Sequence, residues 1–68
     1  MSNKNFQAVQ LGKMYETRDG REVVVFGYDS VHQWYDCVIL NTKEFYNVYD
    51  DGKYLEFKDS HNDLVKEL

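Results

Sequence analysis

The chain has no proline, one cysteine and only four glycines in its 68 residues. A single cysteine, Cys37, excludes an intrachain disulfide. Its position inside the apolar run WYDCVILN marks it as a small buried hydrophobe, in keeping with a reducing compartment. The glycines are scattered, so no glycine-rich loop is present to cradle a phosphate. No apolar run approaches the ~20 residues that a membrane-spanning helix requires, and no membrane association is expected. The opening residues Met1-Ser2-Asn3-Lys4-Asn5 have no apolar segment behind them of the kind a secretory signal carries. A cytoplasmic location is therefore expected. The length allows one domain at most, and a domain this small buries only about 60% of the surface its unfolded chain exposes. An oligomer or a bound partner is expected to add to its stability.

Basic residues are scarce as well. Eight Lys and Arg stand against twelve Asp and Glu, for a net charge of −4. In residues 1–34, Lys4, Lys13, Arg18 and Arg21 balance Glu16, Asp19, Glu22 and Asp29. All the excess acid falls in residues 35–68. Phosphate backbones are bound by basic surfaces, so direct nucleic-acid binding is not expected. Solubility is the plain role for such acid.

Groups that could carry catalysis or hold a metal are few and badly spaced. His32, Cys37 and His61 lie far apart, without the close pairs of a structural zinc site. Asp50-Asp51-Gly52-Lys53 lacks the alternating oxygen ligands of a calcium loop. Ser60, His61 and Asp63 have the residue types of a nucleophilic triad, but working triads are assembled from separated elements. Cys37 with His32 has the same weakness, and paired carboxylates need a cleft that so short a chain hardly makes alone. No catalytic residue, metal or cofactor is assigned, and the protein is not expected to be an enzyme.

The chain does carry a strong β signal. KMYETRDGREVVVFGY reads as a hairpin, with strand-prone Tyr15, Thr17 and Val23–Phe26 flanking Asp19-Gly20. Asp-Gly at this place suggests a two-residue type I′ turn. Gly27 interrupts the second arm, where a bulge or bend is expected. In WYDCVILN, Trp34, Asp36, Val38 and Leu40 alternate with Tyr35, Cys37 and Ile39, as on the two faces of a central strand. EFYNVYDDGKYLEF reads as a second hairpin, with arms Phe45–Tyr49 and Tyr54–Phe57 around Asp51-Gly52. Both hairpins place Asp-Gly and then a basic residue between their arms. Residues 1–10 form an N-terminal arm or a helical turn, and 11–68 the β domain. The end, DSHNDLVKEL, suits a helical turn capped by Ser60 or Asn62, or a short closing strand. The expected fold is all-β with minor helix at the termini. About five antiparallel strands would make an SH3-like barrel or a strongly curved sheet, the latter packed on a terminal helix.

Aromatic content is high: six Tyr, four Phe and one Trp. A small β core can absorb Phe6, Phe26, Phe45, Phe57 and part of Trp34. It cannot hide six tyrosines, and Tyr is favoured at interfaces for its rigid area and polar tip. Cross-strand Tyr pairs on a solvated face are one account of the surplus. The other is a contact surface of Trp34, Tyr46, Tyr49 and Tyr54 with the carboxylates Glu44, Asp50, Asp51, Glu56 and Asp59.

The YETRDGREVVV hairpin, the DGKY turn and the HNDLV ending resemble small β-rich accessory proteins of bacteriophages and prophages, over about residues 12–65. The resemblance implies a phage-encoded protein that acts in the bacterial cytoplasm by binding and modulating a host protein, for example as an inhibitor. It carries over no catalytic residue. On this reading the partner-binding residues are Trp34, Glu44, Tyr46, Tyr49, Asp50, Asp51, Tyr54, Glu56 and Asp59, and they meet a basic surface. An alternative is an oligomeric sponge for nucleotides or other small molecules, with Arg18, Arg21 and Lys53 supplying charge for phosphates. A further alternative is a minor structural component of the virion.

Overall fold

The computed structural model describes residues 4–68; Met1–Asn3 of the proposed arm lie outside the described residues. The fold is all-β. Its strands are β1 (Met14–Thr17), β2 (Glu22–Asp29), β3 (Trp34–Ile39), β4 (Phe45–Val48) and β5 (Leu64–Glu67). They form one antiparallel sheet in the order β4-β3-β2-β1-β5. No helix occurs among the described residues, so the terminal helix is replaced by β5 as a closing strand. The sheet is open, because β4 and β5 share no ladder, and an SH3-like closure does not form. It does curl: the turn after β4 meets the start of β5, where Leu64 N–H donates to Gly52 O at 2.8 Å.

The two Asp-Gly turns are built alike. In the first, Gly20 N–H donates to Thr17 O (2.9 Å) and Thr17 N–H to Arg21 O (2.8 Å). In the second, Gly52 N–H donates to Tyr49 O and Tyr49 N–H to Lys53 O, each at 2.9 Å. Each turn has one residue at positive φ, Gly20 at 91° and Gly52 at 87°. A type I′ turn needs two. These are instead three-residue loops whose glycine takes the left-handed position, and the Asp before it stays in ordinary backbone. Gly27 marks a bulge, as the register of β2 on β3 shifts between Val25 and Gly27.

The first turn joins two strands, but the second joins β4 to irregular chain. Tyr54–Phe57 form no strand. The amide of Tyr54 is taken by the Asp63 carboxylate, which draws the chain away from β4. A side-chain acceptor thus wins over the ladder that propensity alone favours.

The core lies on one face of the sheet. It consists of Val9, Tyr15, Val23, Val25, Cys37, Ile39, Val48 and Leu64, with Phe6, Tyr35 and Tyr46 packed against it. β3 splits as its alternation predicts, with Cys37 and Ile39 inward. The phenylalanines do not. Phe26, Phe45 and Phe57 are exposed, at 50%, 72% and 92%, so they are not the core residues their hydrophobicity suggests. Strand parity decides this for the first two: Phe26 follows the inward Val25, and Phe45 pairs with Val38 on the outward face, while Phe57 lies in the irregular chain after β4. Val9 and Phe6 bring the segment 4–10 onto the sheet. Val9 N–H donates to Asp50 O at 2.8 Å, and the Phe6 ring meets Tyr15 edge-on at 4.9 Å.

Candidate functional site

β4 is an edge strand, and a cleft of about 430 Å³ runs along it. Its lining includes Trp34, Tyr46, Tyr49 and Tyr54, all four aromatics singled out from the sequence. Phe45, Asn47, Val48 and Leu55 complete it. Trp34 opens β3 and is half-buried, with its ring stacked on His32 at 4.4 Å and 11°. Tyr46 and Tyr54 meet edge-on at 5.7 Å. The Tyr46 hydroxyl donates to Asn62 O at 3.0 Å, which fixes the ring across the cleft floor. Burial raises the Tyr46 phenol above its ordinary range, so it remains a neutral donor.

Tyr54 is held from behind by Asp63, which is only 1% exposed. The Asp63 carboxylate accepts the amides of Tyr54 and Ser60 and the guanidinium of Arg18, each at 2.9 Å. The Lys53 ammonium stands 3.5 Å away. Burial pushes the Asp63 carboxyl up, but the two amides, Arg18 and Lys53 together outweigh it and hold it below the usual carboxylate range. Asp63 is therefore the anchor of this side of the molecule. Its buried role has no signature in the sequence beyond the Ser-x-x-Asp spacing, in which Ser60 N–H also bonds the Asp63 side chain.

The acidic set divides. Glu44, Asp50, Asp51 and Glu56 are exposed and, among the described residues, make no salt bridge. Glu44 precedes β4, Asp50 and Asp51 follow Tyr49 in the turn, and Glu56 lies past Leu55. Asp59 is different. It is paired with Lys53 at 2.7 Å and Arg18 at 3.6 Å, and the Lys53 hydrogen bond lowers its pKa. It lies outside the cleft lining and, although exposed, has its charge paired, unlike the other four.

The cations of the phosphate-binding alternative are also engaged. Arg18 and Lys53 serve Asp63 and Asp59. Arg21 donates to Asp19 at 2.8 Å and to the Asn62 side chain. None of the three faces solvent as an unoccupied charge.

Phe45, Asn47, Val48 and Leu55 are cleft residues that the sequence reading did not assign to the site. Phe45 also ends an outward row that crosses four strands through register pairs: Met14 with Val24, Val24 with Val38, Val38 with Phe45. Phe26 packs edge-on against Phe45 at 5.6 Å. Strand parity could have revealed the row, since Val24, Val38 and Phe45 each sit one residue from an inward position. Elsewhere, Cys37 is buried and its thiol is pushed up to about 12 by burial and then by the Asp36 charge, so it stays protonated. No cluster of three or more His, Cys, Asp or Glu suited to a metal occurs among the described residues.

Comparison with family models, curated proteins and solved structures finds no match for this chain.

Proposed function

We propose that the protein is a non-catalytic binding module that takes a basic protein partner at the β4 cleft. One observation carries the reading. Residues from β3, β4 and the loop after β4 bring Trp34, Tyr46, Tyr49 and Tyr54 into one cleft, and the open carboxylates Glu44, Asp50, Asp51 and Glu56 each lie within two residues of a lining residue along the chain. Tyr and Trp offer rigid apolar area with a polar tip, the composition that dominates binding hot spots. The carboxylates steer a positive partner and set its orientation. The sequence resemblance to phage accessory proteins makes a bacterial host protein the partner class to test first, with modulation of that protein as the outcome. Phosphate binding at Arg18, Arg21 and Lys53 is less well supported, because their charge is already satisfied.

The test is affinity capture from bacterial lysate with the wild-type chain and with Asp50→Lys/Asp51→Lys. A stoichiometric protein that leaves as salt rises, and that the variant fails to hold, supports the reading. Equal retention by both chains rejects the acidic mechanism.

A further inference from the structure

The two edges of the sheet are treated differently. β5 carries Lys66 and Glu67, and its outer edge is covered. The Asn5 side chain accepts the Glu67 amide at 2.7 Å and donates to the Glu67 carbonyl at 3.1 Å, as a neighbouring strand would. At the head of β5, Leu64 N–H is taken by Gly52 O. Charges and covers of this kind are how a sheet prevents pairing with another chain.

β4 has none of these protections. Its sequence, Phe-Tyr-Asn-Val, has no charge and no bulge. The phase of its ladder follows from Ile39 N–H donating to Glu44 O at 2.8 Å. Antiparallel pairs alternate, so Tyr46 and Val48 bond to β3, while the N–H and C=O groups of Phe45 and Asn47 point away from it. Those outward groups border the cleft, with Tyr54 and Leu55 opposite.

We infer that β4 is a docking edge, and that its occupant is an extended, basic segment of a partner protein which adds a strand to the sheet. Backbone hydrogen bonds to Phe45 and Asn47 supply register, and alternate side chains reach the cleft and the Phe26–Phe45 face. Charge selects the occupant. Glu44 stands at one end of β4, Asp50 and Asp51 at the other, and Glu56 beyond the cleft, with Lys43 and Lys4 as the flanking cations. A segment with Lys or Arg at both ends complements this frame. A second copy does not: antiparallel β4–β4 pairing sets the Glu44 end of one chain against the Asp50–Asp51 end of the other, between molecules that each carry −4.

This inference rests on the binding reading above, and its test separates the two. The probe is the capped peptide Lys-Lys-Val-Thr-Val-Lys-Lys, titrated into isotope-labelled protein at neutral pH. Two further versions carry N-methyl groups on either the odd or the even amides. Because alternate amides of a strand face opposite edges, strand addition requires one methylated version to bind at least about tenfold more weakly and the other to bind like the parent. The Phe45 and Asn47 amides gain protection from exchange only when bound. Two methylated peptides that both bind like the parent overturn strand addition and leave side-chain binding at the cleft standing. Phe45 and Asn47 amides protected without peptide, in a dimer by sedimentation, assign the edge to a second copy and overturn the inference. No binding by the parent peptide overturns it too. If the lysate partner still distinguishes Asp50→Lys/Asp51→Lys, the cleft reading survives that failure, and if it does not, both fall.

Discussion

Asp63 shows what one buried carboxylate contributes here. Replacing it with Ala strands the amides of Tyr54 and Ser60 and leaves Arg18 and Lys53 with only the exposed Asp59 as a shared partner. The expected cost of Asp63→Ala is about 3 kcal/mol, large for a domain of this size, measured by urea denaturation at neutral pH. The pH dependence has a definite sign. The folded-state pKa of Asp63 is lowered, so its contribution is fully present above the unfolded carboxyl pKa of about 3.9. It is lost as pH falls below that value toward the folded pKa. The stability gap between wild type and Asp63→Asn should therefore narrow on acidification below about pH 4. A gap that stays constant would mean that the carboxylate's charge is not what holds Tyr54. Gly52 makes a second case. Gly20 and Gly52 share positive φ, so Ala at either site costs about 1 kcal/mol in backbone strain. A Cβ at Gly20 meets only the Glu16 carboxylate at 4.0 Å, whereas at Gly52 it lies 2.7 Å from Leu64 O, a backbone atom that cannot move aside alone. Gly52→Ala is expected to cost at least about 2 kcal/mol more than Gly20→Ala in the same denaturation series.

The strands that form hairpins with their sequence neighbours were legible in the chain, because alternation and turn chemistry are local. β2 and β3 were placed by Val23–Phe26 and by the Trp34–Leu40 alternation, and the Gly27 bulge by a glycine inside a strand. The paired Asp-Gly turns were visible too, although their single positive φ was not. Non-local choices stayed hidden. Nothing local to Tyr54–Phe57 says that the Tyr54 amide goes to Asp63, or that Asn5 covers the edge of a strand at the other end of the chain. The cleft aromatics were readable as a surplus that no small core could bury. Their convergence was not, since it depends on where the 49–63 loop runs. Hydrophobicity alone puts Phe26 and Phe45 in the core, whereas parity along β2 and β4 puts them on the outer face. The same reasoning orders local stability. Amide exchange should be slowest at the ladder amides of β1, β2 and β3, which have neighbours on both sides, and fastest around Glu56–Lys58, which are exposed and in no ladder. Asn5→Ala should speed exchange at the Glu67 amide while leaving Val38 unchanged. Equal protection across the 54–58 loop and β3 would contradict the observed pairing.

For the molecule as a whole, charge and exposed apolar surface pull in opposite directions. A row of Met14, Val24, Val38 and Phe45, with Phe26 beside it, crosses the outward face of the sheet and is apolar along its length. Apolar surface in such a row drives association between copies. The net charge of −4 opposes it, and the excess acid lies in the half of the chain that also holds β4. Repulsion between like molecules is long-ranged and falls with protonation and with salt, while the attraction between apolar faces does not. The balance therefore tips as pH approaches the isoelectric point of about 4.9. That value lies above the carboxyl range in which Asp63 loses its hold, so the Asp63 anchor is still in place when repulsion vanishes. The chain is expected to sediment as a monomer near pH 7 and low micromolar concentration, and to self-associate near pH 5. Phe26→Thr/Phe45→Thr keeps strand-compatible residues and removes the two phenylalanine rings of this row, so it should stay monomeric at both pH values. Association of the double variant equal to that of the wild type would show that the acid-induced contact uses a different surface from the Phe26–Phe45 face.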